Sequence, residues 1–365
     1  MILTYGQGLD FVASHRPTSN SDPIGHNYHL WADVTGPLRP LTGLILPRAT
    51  FESALAKVAT QVDHQDFTDP LLDRDPPLNR LATTIWRQIT PRVTPAQLSR
   101  LEVSDETGEG IHATNTKATF IRSGGFSAAH RAHAPRLSAA ENRTLFGTSN
   151  NPAGHGHNYW VEIESPSPMA DTPAPWAALD HLNLSHDVPE LAGRNAVTET
   201  VAELIARRAP AGSRVRVWES ADLFAAFDAA SSQFQLGRRY RFHTAHTLYN
   251  SSLSQAANRR RYGRCALTSP HGHAYTAYVV VEGALDALTD TAYSLSDLDA
   301  TAGSLLRSFE YSDWREALPE LHQAPATAEK VALAIWDRLA GLIGSPLVEF
   351  SLYETPRQRV QMKRG

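Results

Sequence analysis

Hydrophobic and polar positions alternate with a period of two in three stretches of the chain. Gly25-His26-Asn27-Tyr28 opens a run to Val34, His155-Gly156-His157-Asn158-Tyr159 one to Ile163, and His271-Gly272-His273-Ala274-Tyr275 one to Val281. Tyr, Val and Ile at every second place predict half-buried β-strands. The apolar period becomes that of a helix over Phe51 to Val62, Leu78 to Ile89, Thr198 to Arg208, Ser296 to Phe309 and Thr327 to Ile343. Ser165 to Pro175, rich in Pro, Ser and Ala, reads as a loop.

The three alternating runs are parts of an internal repeat. Each follows a matching block: Phe11-Val-Ala-Ser-His15-Arg16, Phe126-Ser-Ala-Ala-His130-Arg131 and Phe242-His-Thr-Ala-His246-Thr247. A short acidic tripeptide recurs late in each copy, as Asp105-Glu106-Thr107, Trp218-Glu219-Ser220 and Tyr353-Glu354-Thr355. The period of roughly 115 to 125 residues far exceeds a solenoid unit, so each copy is expected to carry its own core. Boundaries fall near 114 and 235, giving units 1–114, 115–235 and 236–365. No Gly/Ser linker separates them, which predicts that they pack directly on one another.

Composition narrows the ligands. The 365 residues carry a net charge of −4 and no long Lys/Arg run, which gives no electrostatic reason to expect nucleic acid or an anionic membrane as partner. Small molecules are the expected ligands. The start MILTYGQGLDF lacks the basic and apolar regions of a signal peptide, and no apolar stretch approaches the ~18 residues of a membrane span, so a cytoplasmic location is expected. The single cysteine, Cys265, excludes an intramolecular disulfide and is either a buried filler or a reactive thiol.

Histidine placement suggests chemistry. Residues two apart in a strand point to one face, so His155 and His157, like His271 and His273, can direct two imidazoles at one point, with glycine between them leaving room. His130 or His246 on the preceding strand would supply a third. Three protein nitrogens leave zinc a fourth position for water or substrate. One such pair would read as strand-surface histidines. Two copies keeping all three are hard to attribute to packing, which would tolerate Val or Tyr at each place. The first copy keeps His15 and His26 but has Ile24 where the others have His155 and His271. Two zinc ions per chain are therefore expected.

The stretch Phe126-SAAHRAHAPRLSAAENRTLFGTSNNPAGHGHNY-Trp160 resembles the signature block of 6-pyruvoyltetrahydropterin synthases, F-S-A-x-H-R followed by L-F-G-x-C-N-N-P-x-G-H-G-H-N-Y. The match covers the second copy over nearly its whole length and the others more thinly. The family's L-D-H-x-N-L block is similar to Leu179-Asp180-His181-Leu-Asn183-Leu184 and more loosely to Val62-Asp63-His64-Gln-Asp-Phe67. Its Y-E-T block, whose carboxylate anchors the pterin ring, resembles Tyr353-Glu354-Thr355 and Trp218-Glu219-Ser220. Its cysteine corresponds to Cys265 in Cys265-ALTSP-His271.

The resemblance implies an α+β architecture of three tandem tunnelling-fold domains, each a four-stranded antiparallel sheet with two helices, joined as a pseudo-trimeric barrel. A homodimer of such pseudo-trimers, stacked face to face, is expected. The implied activity is that of a zinc-dependent carbon-oxygen lyase of tetrahydrobiopterin biosynthesis, which takes 7,8-dihydroneopterin triphosphate to 6-pyruvoyltetrahydropterin with loss of triphosphate. Zinc would polarise side-chain hydroxyls, a cysteine thiolate would act as base beside an Asp-oriented imidazole, and Glu354 or Glu219 would hold the pterin.

No copy has every part. The third has Cys265 and Glu354 but Glu310-Tyr311 in place of Asp-His. The second has Asp180-His181 and Glu219 but Ser149 in place of cysteine, a far poorer base. The first has Asp63-His64 and Glu106 but an incomplete metal set, with Asn79 near where the others have Glu199 and Glu329. Because in the family the cysteine and the Asp-His pair of one site come from neighbouring subunits, Cys265 is expected to work with a pair from another repeat, Asp180-His181 first and Asp63-His64 as the rival. Two other readings stay open: a 6-carboxytetrahydropterin synthase type of lyase, and a zinc-containing pterin-binding protein with little turnover.

Overall fold

The computed structural model of the chain describes residues 1–16, 21–67, 77–169 and 173–365. The first third forms β1 (Ile2–His15), β2 (Ile24–Thr35), helix α1 (Arg48–Val62), the two-residue β3 (Gln65–Asp66), α2 (Pro77–Ile89), β4 (Gln97–Asp105) and β5 (Glu109–Ala113). The second forms β6 (Ala118–His130), α3 (Ala139–Phe146), β7 (His155–Ser165), α4 (Thr198–Arg208), β8 (Arg214–Ser220) and β9 (Leu223–Asp228). The last forms β10 (Gln233–His246), α5 (Gln255–Tyr262), β11 (His271–Gly283), the short α6 (Leu295–Leu298) and α7 (Ser304–Arg307), β12 (Ser312–Asp313), α8 (Trp314–Ala317), α9 (Ala328–Ile343), β13 (Leu347–Thr355) and β14 (Gln358–Lys363). The helix expected over Ser296 to Phe309 is broken by a π-turn at Asp299–Gly303 and ends at Arg307. Of the expected loop Ser165 to Pro175, Ser165 still belongs to β7 and 170–172 lie outside the described residues.

The long strands run in the order β11-β13-β14-β1-β2-β4-β5-β6-β7-β8-β9-β10, and β10 pairs back onto β11 to close the ring. Every neighbour in it is antiparallel, while β3 and β12 add short parallel rungs to β1 and β10. This is the α+β pseudo-trimeric barrel that the resemblance implies. Closure removes the free sheet edges that three separate four-stranded sheets would expose. The turn Asp105-Glu-Thr-Gly108 needs its glycine: φ is +88° and a Cβ would stand 2.2 Å from the Ser123 carbonyl oxygen.

Alternation sorts the two faces. Tyr28, Leu30, Ala32 and Val34, then Tyr159, Val161 and Ile163, then Tyr275, Ala277, Val279 and Val281 are buried in the apolar cores outside the barrel, with residues of the helices. The first and third thirds share one continuous core, and the second has its own. The opposite face lines a central cavity of about 390 Å³ in which charged residues of all three thirds meet. Each seam is stitched there by a polar contact: Arg359 to Asp33 at 2.7 Å, His112 to Glu164 at 2.9 Å, and Arg214 to Gln235 at 2.6 Å. Among the described residues no helix is long and apolar enough to cross a membrane.

Candidate functional site

The long hairpins β6–β7 and β10–β11 put three imidazoles at each tip. The strand register sets His130 opposite His155 and His246 opposite His271, and His157 and His273 follow two residues on along the same face. Three ring nitrogens, one from each histidine, lie within 4.8 Å of one another in each group. Nε2 of His130 is 3.0 Å from Nε2 of His155, and Nε2 of His246 is 3.1 Å from those of His271 and His273.

The tautomers decide what these contacts mean. Nδ1–H of His130 donates to the Ala196 carbonyl at 2.6 Å, and that of His246 to Ala326 at 3.0 Å, so in the neutral rings both Nε2 atoms carry lone pairs. Burial lowers the pKa of His130, His155 and His271 and takes His246 down to about 4, keeping these rings neutral near pH 7. His155, His271 and His273 meet these lone pairs either as Nε2–H donors or, with lone pairs of their own, across a cation. Zinc–nitrogen bonds of 2.0–2.1 Å in a tetrahedron bring nitrogens to ~3.3 Å, close to what is seen. The buried Nε2 of His157 has no hydrogen-bond partner among the described residues, as a metal-ligand atom would. Carbonyls holding the distal Nδ1–H are the usual outer support of ligating histidines. In the first copy His15 faces Ile24, and the His15 and His26 rings merely stack 5.5 Å apart.

A carboxylate sits below each triad. The register pairs Tyr28 with Asp105 and Thr276 with Tyr353, and one step further sets Tyr275 against Glu354. By the same register the first copy's counterpart of Glu354 and Glu219 is Asp105. Glu106, matched to them by sequence, lies in the turn after β4 and accepts from the Asn27 side chain. Oε1 of Glu354 is 3.5 Å from Nε2 of His273 and 3.8 Å from that of His246. Arg48, the first residue of α1, grips this carboxylate with both terminal nitrogens, Nη1 donating to Oε1 at 2.9 Å and Nη2 to Oε2. Burial opposes charging Glu354, but Arg48 and the two histidines prevail and hold it at about 2. Glu219 instead accepts from the Thr198 hydroxyl. Two further carboxyls given no role by sequence, Glu199 and Glu329, are buried and pushed up to about 7 by that burial. Glu199 accepts from Ala292 N–H at 3.1 Å, and Glu329 from Ile45 N–H at 3.4 Å.

A cavity of about 390 Å³ opens beside the second triad, lined among others by His130, Ser149, Glu199, Glu219 and Leu295. Cys265 is half-buried against Leu44, Leu248 and Tyr262. Burial pushes its thiol up, with Arg48 and Arg264 opposing and Glu354 and Glu52 adding. That is the reverse of the lowered pKa expected from an adjacent Asp-His pair.

His64, His181 and Tyr311 share one backbone geometry, with φ of +57°, +60° and +58°. Their N–H groups donate at 2.6 Å to Val12, Ser127 and His243 carbonyls, and the preceding acids Asp63, Asp180 and Glu310 accept the N–H of the same strand residues. Nδ1 of His64 and of His181 lies 2.9 and 2.8 Å from its own aspartate, and both imidazoles project into solvent.

Ring order tells which copy borders which triad. The third triad abuts the first copy, through Arg48 on Glu354 and through Tyr262 and Thr327 donating to the carbonyls of Thr42 and Gly43. The second abuts the third copy, through Asn195 on Thr289 and Glu199 on Ala292. The incomplete first set shares its cavity with Phe120, Arg122 and Met169 of the second copy. Within one chain, Asp180-His181, the pair expected to serve Cys265, lies away from it in the ring. That pair hangs on β6, separated from β11 by β7 to β10, and belongs to the copy bordering the first set. Asp63-His64 belongs to the copy that borders Cys265.

Comparison with known proteins places these features. The family described as 6-pyruvoyl tetrahydropterin synthase matches residues 8–115 and 235–365. The chain is similar to the 6-pyruvoyl tetrahydrobiopterin synthases of Pongo abelii and Homo sapiens, 31% and 30% identical over 133 residues, which is 36% of this chain and 92% of each relative. Among solved structures, it is similar to Caenorhabditis elegans 6-pyruvoyl tetrahydropterin synthase at 24% identity, TM-score 0.34, covering 36% of this chain and 96% of that one. It is also similar to Arthrobacter globiformis uricase at 10% identity, TM-score 0.31, covering 76% and 93%.

Proposed function

Given that this chain belongs to the 6-pyruvoyl tetrahydropterin synthase family, we propose that it is a zinc-dependent pterin lyase that converts 7,8-dihydroneopterin triphosphate to 6-pyruvoyltetrahydropterin, with two zinc ions per chain. The observation that carries this reading is the convergence of six histidines into two sets of ring nitrogens, each above a carboxylate, Glu354 buried and Glu219 half-buried. Zinc held by His246, His271 and His273 would supply Lewis acidity to the substrate's side-chain hydroxyls.

The chain's own residues divide the remaining work. Glu354, once a pterin displaces Arg48 from it, would accept the paired N–H donors of the ring and fix its orientation. Cys265 would take a proton from the side chain, and Asp63-His64 of the bordering copy would receive it, with Asp63 holding the imidazole tautomer. Two chains stacked face to face would cover the exposed Asp-His pairs.

The test is turnover of dihydroneopterin triphosphate by zinc-loaded and metal-stripped protein, with products identified by mass spectrometry. A pyruvoyl product that depends on metal is expected. A carboxy product would move the protein to the 6-carboxytetrahydropterin synthase type. A second reading, pterin binding with little turnover, is favoured by the thiol that burial pushes up and by Ser149 beside the open cavity. It predicts metal-dependent binding with no product.

A further inference from the structure

The two triads are built alike, but the groups that hold their carboxylates differ. Ala292 and Ile45 play the same part, each giving its N–H to the buried glutamate at the start of the neighbouring helix, Glu199 in α4 or Glu329 in α9. Three residues on from each stand Leu295 and Arg48. Leu295 lines the open cavity of the second site, and Arg48 reaches across to Glu354 in the third. The other partner changes in step. Thr198, which holds Glu219, precedes Glu199, whereas Ala328 precedes Glu329 and offers no hydroxyl.

Nothing in α1 calls for this arginine. A cation in the first turn of a helix opposes the helix dipole. The Arg48 and Glu354 side chains are only 9% and 2% exposed, so the pair is held out of water. Its geometry is informative. A guanidinium presents two parallel N–H donors to the two oxygens of a carboxylate. The amino group and adjacent ring N–H of a pterin are an acylated guanidine and present the same pair.

Resting on the pterin reading above, we infer that Arg48 is an internal occupant of the third site, which competes with a pterin ring for Glu354 and directs the first pterin to the second site. A ligand reaching Glu354 must displace a buried, doubly hydrogen-bonded cation. One reaching Glu219 meets a carboxylate whose neighbour is a hydroxyl and whose cavity is open.

Calorimetric titration of the zinc-loaded full chain with neopterin tests this. The wild type should bind one neopterin per chain, Glu219→Gln should lose that event, and Arg48→Leu should bind two, the second at least tenfold more tightly than any second event in the wild type. Two equal sites in the wild type, or undiminished binding by Glu219→Gln, would overturn the assignment of Arg48 while leaving the pterin reading intact. So would a folded Arg48→Leu that still binds one. If Arg48→Leu does not fold, the wild-type stoichiometry and Glu219→Gln decide alone. Absence of neopterin binding in every variant would overturn both readings.

Discussion

Arg359 in the last strand places its guanidinium on both oxygens of Asp33, 326 residues earlier, at 2.8 and 2.7 Å, and thereby ties the third copy to the first across the β14–β1 seam. Trp31 donates to the same carboxylate at 3.0 Å, and the Arg359 guanidinium lies 5.0 Å from the Trp31 ring. Asp33 is buried, yet Arg359 and Arg100 outweigh that burial and lower its pKa. Truncating one partner strands the other charge in a buried setting, a loss of about 3–5 kcal/mol. Asp33→Ala should therefore lower urea stability by that order. Replacing both residues with apolar ones of similar volume should recover much of the loss. If Asp33→Ala cost no more than an average surface substitution, the seam would be held elsewhere.

Metal content follows from the hairpin tips. The wild type should retain two zinc ions per chain after dialysis, and His271→Ala should retain one, measured by elemental analysis. The first copy supplies a constructive test. Ile24 stands opposite His15 in the register that sets His155 opposite His130, with His26 two residues on. Ile24→His should raise the stoichiometry toward three. A wild type holding a single zinc would show that one tip is not a metal site.

The repeat and the histidine pattern were legible because both depend on local spacing: a period-two strand with His-Gly-His fixes which face the rings share. Other features depend on what the spacing does not contain. The acidic tripeptide misled by one residue in the first copy, because β13 and β8 carry a register shift before their turns and the β4–β5 ladder runs without one. Arg48 reads as an ordinary polar helix start, since its partner lies 306 residues away. The hand of the ring, which decides whose Asp-His borders Cys265, emerges only when the strands close.

Acid should act on the metal-free protein through the triads. In the unfolded chain these histidines titrate near 6.5, and in the fold burial lowers His130, His155 and His271 and takes His246 to about 4. A depressed folded pKa contributes stability that is fully present above pH 6.5 and is lost as pH falls toward the folded value. His246, fully buried, should alone contribute a slope of up to about 1.4 kcal/mol per pH unit in that window. Apo protein denatured at pH 7.5 and 5 should show this drop, and His246→Gln should flatten it. An unchanged slope in His246→Gln would mean that the ring titrates normally in the fold.

Ring order makes a sharp distinction between two similar pairs. Asp63-His64 and Asp180-His181 have matching backbone geometry, so fold stability should respond alike to His64→Ala and His181→Ala, and modestly, because both rings face solvent. Activity should not respond alike. The third triad and Cys265 abut the copy that carries His64, while His181 belongs to the copy beside the incomplete first set. If proton transfer through the bordering pair limits turnover, His64→Ala should lower kcat by about 10²–10⁴, the usual worth of a positioned acid–base group, and His181→Ala by a few-fold at most. Cys265→Ala should match the His64→Ala loss, and the double variant should be little worse than either single one, as expected for groups that act as a unit. A larger loss from His181→Ala would require the pair to reach a triad of a second, stacked chain. Undiminished activity in all three variants would mean that the proton passes through neither Cys265 nor either Asp-His pair.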